Sequence, residues 1–177
     1  LPQFYQERKF SYPFAVSGLR LMLWGFFKKV VIADNLSRMV DIVYAAPTEY
    51  HGLQVVLAAT FFTLQVYGDF SGYSDIAIGL SRIFGFDLQS NFKTPFFSRT
   101  IAEFWNRWHI SLNTWFRDYL YIPLGGSRVS TFRRHLNTLT IFFISGLWHG
   151  ASWAFVIWGI LNGFYLVFAI QTKSWRE

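Results

Sequence analysis

One histidine in the most apolar part of the chain is the clearest candidate for chemistry. His149 lies in residues 145–151, SGLWHGA, and the surrounding residues 135–172 contain no Asp, Glu, Lys or Arg. An ionisable side chain in such a segment is expected to face protein or a cavity rather than lipid. Because burial disfavours imidazolium, the ring should be neutral and able to accept a proton. His149 is therefore either a general base or a packing histidine bonded to a backbone carbonyl.

A second histidine lies in an aromatic and charged segment, residues 104–112, FWNRWHISL. If this segment is one helix, Trp105 and His109 lie one turn apart and share a face with Leu112, while Arg107 points elsewhere. His109 is then either a second residue of a polar site or an interfacial histidine whose polar edge reaches the lipid headgroups.

The remaining candidates are charged residues whose spacing does not fix their geometry. Asp69 and Asp75 flank a glycine-containing segment, where they act as general acid and base or where Asp69 caps a helix. Arg107, Arg117 and Asp118 form an internal ion pair or bind an anionic group such as a phosphate.

No metal site is expected from the sequence. His109 and His149 could share a metal ion, but a catalytic zinc usually has three protein ligands. His51 and His135 lack the motif spacing to supply the third. The absence of cysteine excludes disulfides, thiolate metal sites and a cysteine nucleophile. Nucleophile-elbow, Walker and dinucleotide motifs are also absent.

The elements that hold these residues are predicted to be membrane helices. Of the 177 residues, 53% are hydrophobic, 21% are aromatic and 15% are charged, whereas soluble domains have about 25% charged residues. The formal charge is +6, and basic residues cluster beside apolar runs at 8–9, 28–29 and 128–134. This arrangement is typical of membrane-segment flanks, and no nucleic-acid-binding signature is present. The sequence predicts an all-α, polytopic membrane protein.

The first half of the chain divides into three predicted segments. Residues 14–32 form a membrane helix whose lysines reach the interface, or an amphipathic surface helix, and Asp34 and Asn35 end it. Residues 50–68 contain no charged residue and are long enough for a crossing. The polar residues 69–75 then interrupt the hydrophobicity, and the short apolar stretch 76–86 is predicted to form a re-entrant or protein-buried helix.

The second half is predicted to contain one interfacial helix and two crossings. Residues 101–120 mix tryptophan with charge, which is typical of an interfacial or half-buried helix, and the turn at 123–127 ends it. Residues 135–172 are long enough for two crossings of about 20 residues each. Their break is expected near His149.

Several motifs together resemble the membrane-bound O-acyltransferase family. They are DFSGYSD at 69–75, NFKTPF at 91–96, EFWNRWHISL at 103–112, WFRDYLYIPLGG at 115–126 and GLWHG at 146–150. Residues 27–36, FKKVVIADNL, resemble the alginate O-acetylation branch. IPLGG at 122–126 favours polysaccharide O-acetylation over the D-alanyl transfer branch, which shares NRWH.

The resemblance implies a multi-pass enzyme of the bacterial inner membrane. Residues 1–177 would be one partial catalytic domain of a longer protein with further spans on both sides. The enzyme would take an acyl group, expected to be acetyl, from a cytoplasmic thioester such as acetyl-CoA or an acyl carrier, without a bound cofactor. It would pass the group across the membrane to a polysaccharide hydroxyl, through extracytoplasmic partner proteins.

The resemblance also implies residue roles. The family's catalytic histidine falls on His149, which would take the proton from the acceptor hydroxyl. Its second active-site polar residue falls on His109, which would orient the substrate or stabilise oxyanion charge. The residues assigned to substrate binding are Trp105, Asn106, Arg107, Trp148, Asp69 and Arg117.

Two other classes of protein fit the same residues. In a transporter or channel, the histidines would relay protons or bind solute, and glycine-rich segments near Asp69 and His149 suit that role equally well. In a structural membrane subunit, the histidines would only pack.

Overall fold

The computed structural model describes residues 2–172, and every regular element among them is helical. The predicted all-α class is confirmed for this part of the chain. The residues form two compact units, Leu1–Ser90 and Asn91–Glu177.

The first unit begins with one long helical path. Helix α1 (Tyr12–Phe26) continues through a π-helical segment (Phe27–Ala33) directly into α2 (Asp34–Ala45). The predicted end at Asp34 and Asn35 is therefore wrong. Both polar side chains are paired on the helix itself: Asp34 lies 2.8 Å from the Lys29 ammonium, and the Asn35 amide donates to the Val31 carbonyl at 2.8 Å.

Helix α3 (Leu53–Ile83) is continuous through the polar segment that was expected to break it. Asp69 lies inside this helix, so both the re-entrant segment and the capping role are wrong. The glycines of this region serve close helix packing instead. A Cβ added to Gly72 would lie 2.7 Å from the Gly25 carbonyl oxygen, and one added to Gly79 would lie 2.5 Å from the Gly18 oxygen. Small residues allow the two backbones to approach in this way.

The lysines of the π-helical segment pair with the aspartates of α3. Lys28 lies 2.7 Å from Asp75, and Lys29 lies 2.8 Å from Asp69. The Lys28–Asp75 pair is largely buried, with exposed side-chain fractions of 12% and 21%. The lysines were expected to reach the membrane interface, but these carboxylates pair with them within the unit.

The second unit contains short helices followed by a helical hairpin. A 3-10 turn (Pro95–Phe97) precedes α4 (Ile101–Arg107) and α5 (Ile110–Phe116), and a π-helical turn (Arg117–Tyr121) follows. The predicted single helix over 101–120 is therefore wrong, because the backbone leaves the helical conformation at Trp108 and His109. The turn predicted at 123–127 is present.

Helices α6 (Thr131–His149) and α7 (Trp153–Gln171) form the hairpin, and its connection lies beside His149 as predicted. Glycines again permit the close contact. A Cβ on Gly146 would meet the Phe155 carbonyl oxygen, and one on Gly159 would meet the Phe142 oxygen. The Ser152 hydroxyl accepts a hydrogen bond from the Ala154 backbone N–H and so caps α7.

Two of the described helices, α3 with 31 residues and α7 with 19, are long and apolar enough to cross a membrane. Helix α3 includes residues 53–68 of the crossing predicted at 50–68, and α7 lies in the second half of the region 135–172, where two crossings were predicted. That these helices cross a membrane stays a prediction. Helix α6 begins with Arg133 and Arg134 in its first turn and carries several polar residues. A crossing by α6 stays a prediction.

Candidate active site

The polar site of the second unit is built around an irregular turn between α4 and α5. Thr100 caps the start of α4, and its hydroxyl accepts from the Glu103 backbone N–H at 3.1 Å. The helix ends at Arg107, and His109 adopts φ 47° and ψ 54°, the left-handed region. Residues other than glycine are uncommon there, and such strain concentrates at functional sites. The break points His109 in a direction that a continuous helix would not give.

The loop before α4 holds the turn from one side. The Asn91 carbonyl accepts from the Ile110 N–H at 3.0 Å, and the Asn91 side-chain oxygen accepts from the Ser111 N–H at 3.2 Å. The Lys93 N–H donates to the Arg107 carbonyl at 3.0 Å. These bonds satisfy backbone groups at the end of α4 and the start of α5, where a helix terminus leaves them unpaired.

A side chain of α5 holds the turn from the other side. The Asn113 amide nitrogen donates to the Trp108 carbonyl at 2.6 Å and also to the Trp105 carbonyl. Neither Asn91 nor Asn113 was predicted from the sequence to have a role at the site. The residue type is the one signal in the sequence that could have identified them, because asparagine side chains pair with backbone groups at helix caps and turns.

His149 occupies the last position of α6, at the tip of the hairpin. Its ring centroid lies 5.1 Å from that of Trp158 in an edge-to-face arrangement and 6.2 Å from that of Phe155 in a stacked one. The residue is exposed in the described structure, whereas the sequence predicted a buried position in the middle of an apolar stretch. The break predicted near His149 is present, because α6 ends at this residue.

The structure brings the two histidines together around one indole. The Trp148 ring centroid lies 5.9 Å from that of His109 and 5.0 Å from that of His149. Burial lowers the pKa of His109 from 6.5 to about 4, and the nearby charge of protonated His149 contributes to this shift. His109 is therefore neutral near pH 7 and can use one ring N–H as a hydrogen-bond donor.

Trp105 connects the turn to the hairpin. Its ring lies 5.2 Å from Phe142 and 6.1 Å from Trp158, both edge to face. Since Trp158 also contacts His149, an aromatic chain runs from α4 to the histidine at the hairpin tip. Of the predicted substrate-binding residues, Trp148 thus contacts both histidines, and Trp105 is connected to His149 through Trp158.

The arginines of this segment already have carboxylate partners. Arg107 pairs with Glu103 one helical turn earlier. The pKa of Glu103 is lowered, first by the hydrogen bond from the Arg99 backbone N–H and then by the charges of Arg107 and Arg99. Arg117 pairs at 2.8 Å with the adjacent Asp118, on the surface. An ion pair was predicted among Arg107, Arg117 and Asp118. The structure forms it between Arg117 and Asp118, while Arg107 pairs with Glu103 instead.

An open cavity of about 400 Å³ lies next to the turn. Three predicted substrate-binding residues, Trp105, Asn106 and Arg117, line it together with Asn113 and Tyr121. Apolar residues of α6 and α7 form part of its wall, so the cavity suits a ligand with a polar end and an apolar end. Among the residues that the structure describes, no three His, Asp or Glu side chains cluster as a metal site would require.

Asp69, the sixth predicted substrate-binding residue, belongs to the first unit. Its carboxylate pairs with Lys29 across the contact between the π-helical segment and α3.

Comparison with known proteins identifies the class of protein that carries this site. The sequence profile of the membrane-bound O-acyltransferase family matches residues 4–177. The chain belongs to this family. The matched residues include parts of both described units and both histidines.

Three relatives of this chain have names that state different acceptors. The chain is 49% identical over 149 residues to the probable alginate O-acetylase AlgI of Azotobacter vinelandii, covering 84% of this chain and 30% of the relative. It is 41% identical over 168 residues to the peptidoglycan O-acetyltransferase of Helicobacter pylori, covering 94% and 32%. It is 34% identical over 162 residues to the teichoic acid D-alanyltransferase of Streptococcus thermophilus, covering 85% and 39%. The chain spans about a third of the length of these relatives.

Proposed function

We propose that this chain carries the acyl-transfer site of a membrane-bound O-acetyltransferase that modifies a cell-surface or exported polysaccharide. The observation that carries the proposal is the convergence of His109 and His149 on Trp148, in a chain of the O-acyltransferase family. A neutral imidazole beside a second imidazole provides a proton acceptor and a hydrogen-bond donor in one place.

In the proposed reaction, His149 takes the proton of the acceptor hydroxyl while the hydroxyl oxygen attacks the thioester carbonyl carbon. A carbon–oxygen bond forms, and the carbonyl oxygen gains negative charge. The N–H of neutral His109 donates to that oxygen, and a donor aimed at developing charge lowers the barrier. The carbon–sulfur bond then breaks, and the leaving thiolate takes the proton held by His149. The products are an ester and a free thiol.

The acceptor is proposed to be a polysaccharide hydroxyl and the donor an acetyl thioester, such as acetyl-CoA or an acyl carrier. The identities of 49% and 41% to proteins named as O-acetylating enzymes support this choice. The D-alanyl transfer branch is the alternative, and its representative is less similar at 34%. A transporter function has no counterpart among these relatives.

The whole protein is proposed to be a multi-pass enzyme of the bacterial inner membrane. The apolar helices α3 and α7 support a membrane location. The donor would approach from the cytoplasm, and extracytoplasmic partner proteins would complete transfer to the polysaccharide. The cavity beside Trp105 and Asn106 is proposed to hold part of a substrate, because it combines polar and apolar walls.

The test is acyl transfer by the full-length protein in membranes, measured with a labelled acetyl thioester. His149→Ala is compared with wild type at matched folded abundance. We expect transfer to fall by about 100-fold or more, since a general base contributes about 10² to 10⁴. The matched control is His51→Ala, because His51 is an exposed loop histidine whose backbone N–H, not its ring, donates to Gln54.

Unchanged transfer in His149→Ala would remove this histidine from the mechanism. A wild-type protein that transfers D-alanine and not acetyl would favour the alternative branch. Solute movement in the absence of any thioester would favour a transporter.

A further inference from the structure

The turn that carries His109 needs several bonds to persist. A residue with a Cβ is unfavourable in the left-handed region, so the surrounding structure must hold it there. The end of α4 also leaves carbonyl groups without donors from its own helix. If nothing paired those carbonyls, residues 101–116 would have a lower free energy as one continuous helix, which is the structure that their sequence pattern predicts.

Asn113 bridges the two sides of this turn. Its amide nitrogen donates to the Trp105 and Trp108 carbonyls, and its own backbone N–H donates to the His109 carbonyl at 3.1 Å. Helical side chains lean towards the N-terminus of their helix, which directs the Asn113 amide back over the turn. The two N–H groups of one amide match the two carbonyls.

We propose that Asn113 is a positioning residue that holds His109 in its left-handed conformation and so fixes the His109 ring beside Trp148. The catalytic consequence rests on the proposed acyl-transfer function, whereas the conformational one does not. Asn91 supports the opposite side of the turn by accepting from Ile110 and Ser111. Asn91 cannot replace Asn113, because these bonds pair N–H groups of α5 and not the carbonyls of α4.

Asparagine is specific for this role. An aspartate in its place would have the same shape but only acceptors at neutral pH, and it would face two carbonyl oxygens. The substitution Asn113→Asp therefore removes both bonds and adds repulsion while preserving volume. Asn113→Ala removes them without adding repulsion. Both changes release the turn, and the His109 ring moves away from Trp148.

Asn113 also lines the open cavity, so a direct contact with substrate is the competing explanation. The two explanations differ in kinetics. Loss of a substrate contact raises KM, whereas misplacement of His109 lowers kcat because His109 acts in the transition state. A purely structural role would lower the amount of folded protein and leave both constants unchanged.

The experiment uses the full-length protein in membranes, with Asn113→Asp and Asn113→Ala compared at matched folded abundance. The control is Asn35→Asp, since the Asn35 amide also donates to a backbone carbonyl, that of Val31, on an exposed helix surface. Two quantities are measured: kcat and KM for acetyl transfer, and the rate at which diethylpyrocarbonate modifies His109 relative to exposed His51.

We expect kcat to fall by about 10- to 100-fold in both Asn113 variants, with KM close to wild type, as for a small misplacement of a reacting group. The modification rate of His109 should change relative to His51 in both variants and stay at the wild-type value in Asn35→Asp. An unchanged His109 modification rate in both Asn113 variants would overturn the proposal, even if transfer fell. Absence of acetyl transfer in the wild type would instead refute the proposed function, and the modification rates would still decide the role of Asn113.

Discussion

The Lys28 ammonium lies 2.7 Å from the Asp75 carboxylate, where the π-helical segment meets α3. This pair is largely enclosed, whereas the Arg117–Asp118 pair leaves 59% and 43% of its side chains exposed. Removal of one partner from an enclosed pair leaves an uncompensated charge, while exposed pairs contribute little. The two pairs are therefore expected to respond differently to the same kind of substitution.

Lys28→Met should destabilise the protein by up to about 3 kcal/mol, because Asp75 loses its partner away from water. The double variant Lys28→Met/Asp75→Leu should recover most of that loss, since it removes both charges. Arg117→Met on the exposed pair should change stability by about 0 to 1 kcal/mol. Thermal denaturation in detergent measures all three, and a double variant less stable than Lys28→Met would contradict the prediction.

The structure of the first unit could be predicted only in part from the sequence, and the Lys28–Asp75 pair shows why. The all-α class and the apolar helix at 50–68 follow from composition and hydropathy, and both are confirmed. The break expected at Asp69 to Asp75 is wrong, because a local pattern does not show that lysines 40 or more residues earlier neutralise these carboxylates. Gly72 and Gly79 of α3 instead face Gly25 and Gly18 of α1, so the two helices pack closely along this region.

In the second unit, the motifs indicated His109 and His149 as candidate site residues, but the sequence did not predict the turn that carries His109. The pattern at 101–120 predicts one helix that places Trp105 and His109 on one face. The helix breaks because Asn91 and Asn113 pair backbone groups that the helix would otherwise keep. These bonds link residues 5 to 20 positions apart in the sequence, so helical periodicity could not reveal them.

The glycines of the α6–α7 hairpin provide a second test. A Cβ on Gly159 would meet the Phe142 carbonyl oxygen and lie 3.1 Å from the Gly146 Cα. Gly159→Val should force the helices apart and destabilise the protein by about 1 to 3 kcal/mol, the usual cost of overpacking. Because Trp158 precedes this position and contacts His149, transfer activity should fall as well.

The matched control for the hairpin is Gly52→Val, before α3. Gly52 has φ 59° but nothing within 4 Å of an added Cβ, so the substitution carries backbone strain without a helix clash. Thermal denaturation and acetyl transfer should separate the two variants: both lose stability, and only Gly159→Val loses transfer. Equal transfer in the two would show that the hairpin contact does not position His149.

A third test concerns Asn137, which is 2% exposed. Its side-chain amide donates to the Leu124 carbonyl at 3.0 Å. This bond ties the glycine-containing turn after Tyr121 to α6. Asn137→Leu keeps the number and branching of the side-chain heavy atoms but leaves that carbonyl without this donor, which should destabilise the protein by about 1 to 3 kcal/mol. The control is Asn162→Leu on α7, whose amide donates to the Trp158 carbonyl within its own helix at 2.8 Å. A larger loss in thermal stability for Asn162→Leu would contradict the assignment.

The pKa of His109 predicts how stability depends on pH. In the folded protein, burial and the nearby His149 keep this ring neutral down to a pKa of about 4, whereas the unfolded chain takes up the proton near pH 6.5. Between these values the unfolded chain binds more protons, so stability should fall as pH is lowered. His109→Gln removes the titrating group and should make the melting temperature less dependent on pH between 6.5 and 4. A wild-type slope in His109→Gln would show that the ring is not held neutral by its surroundings.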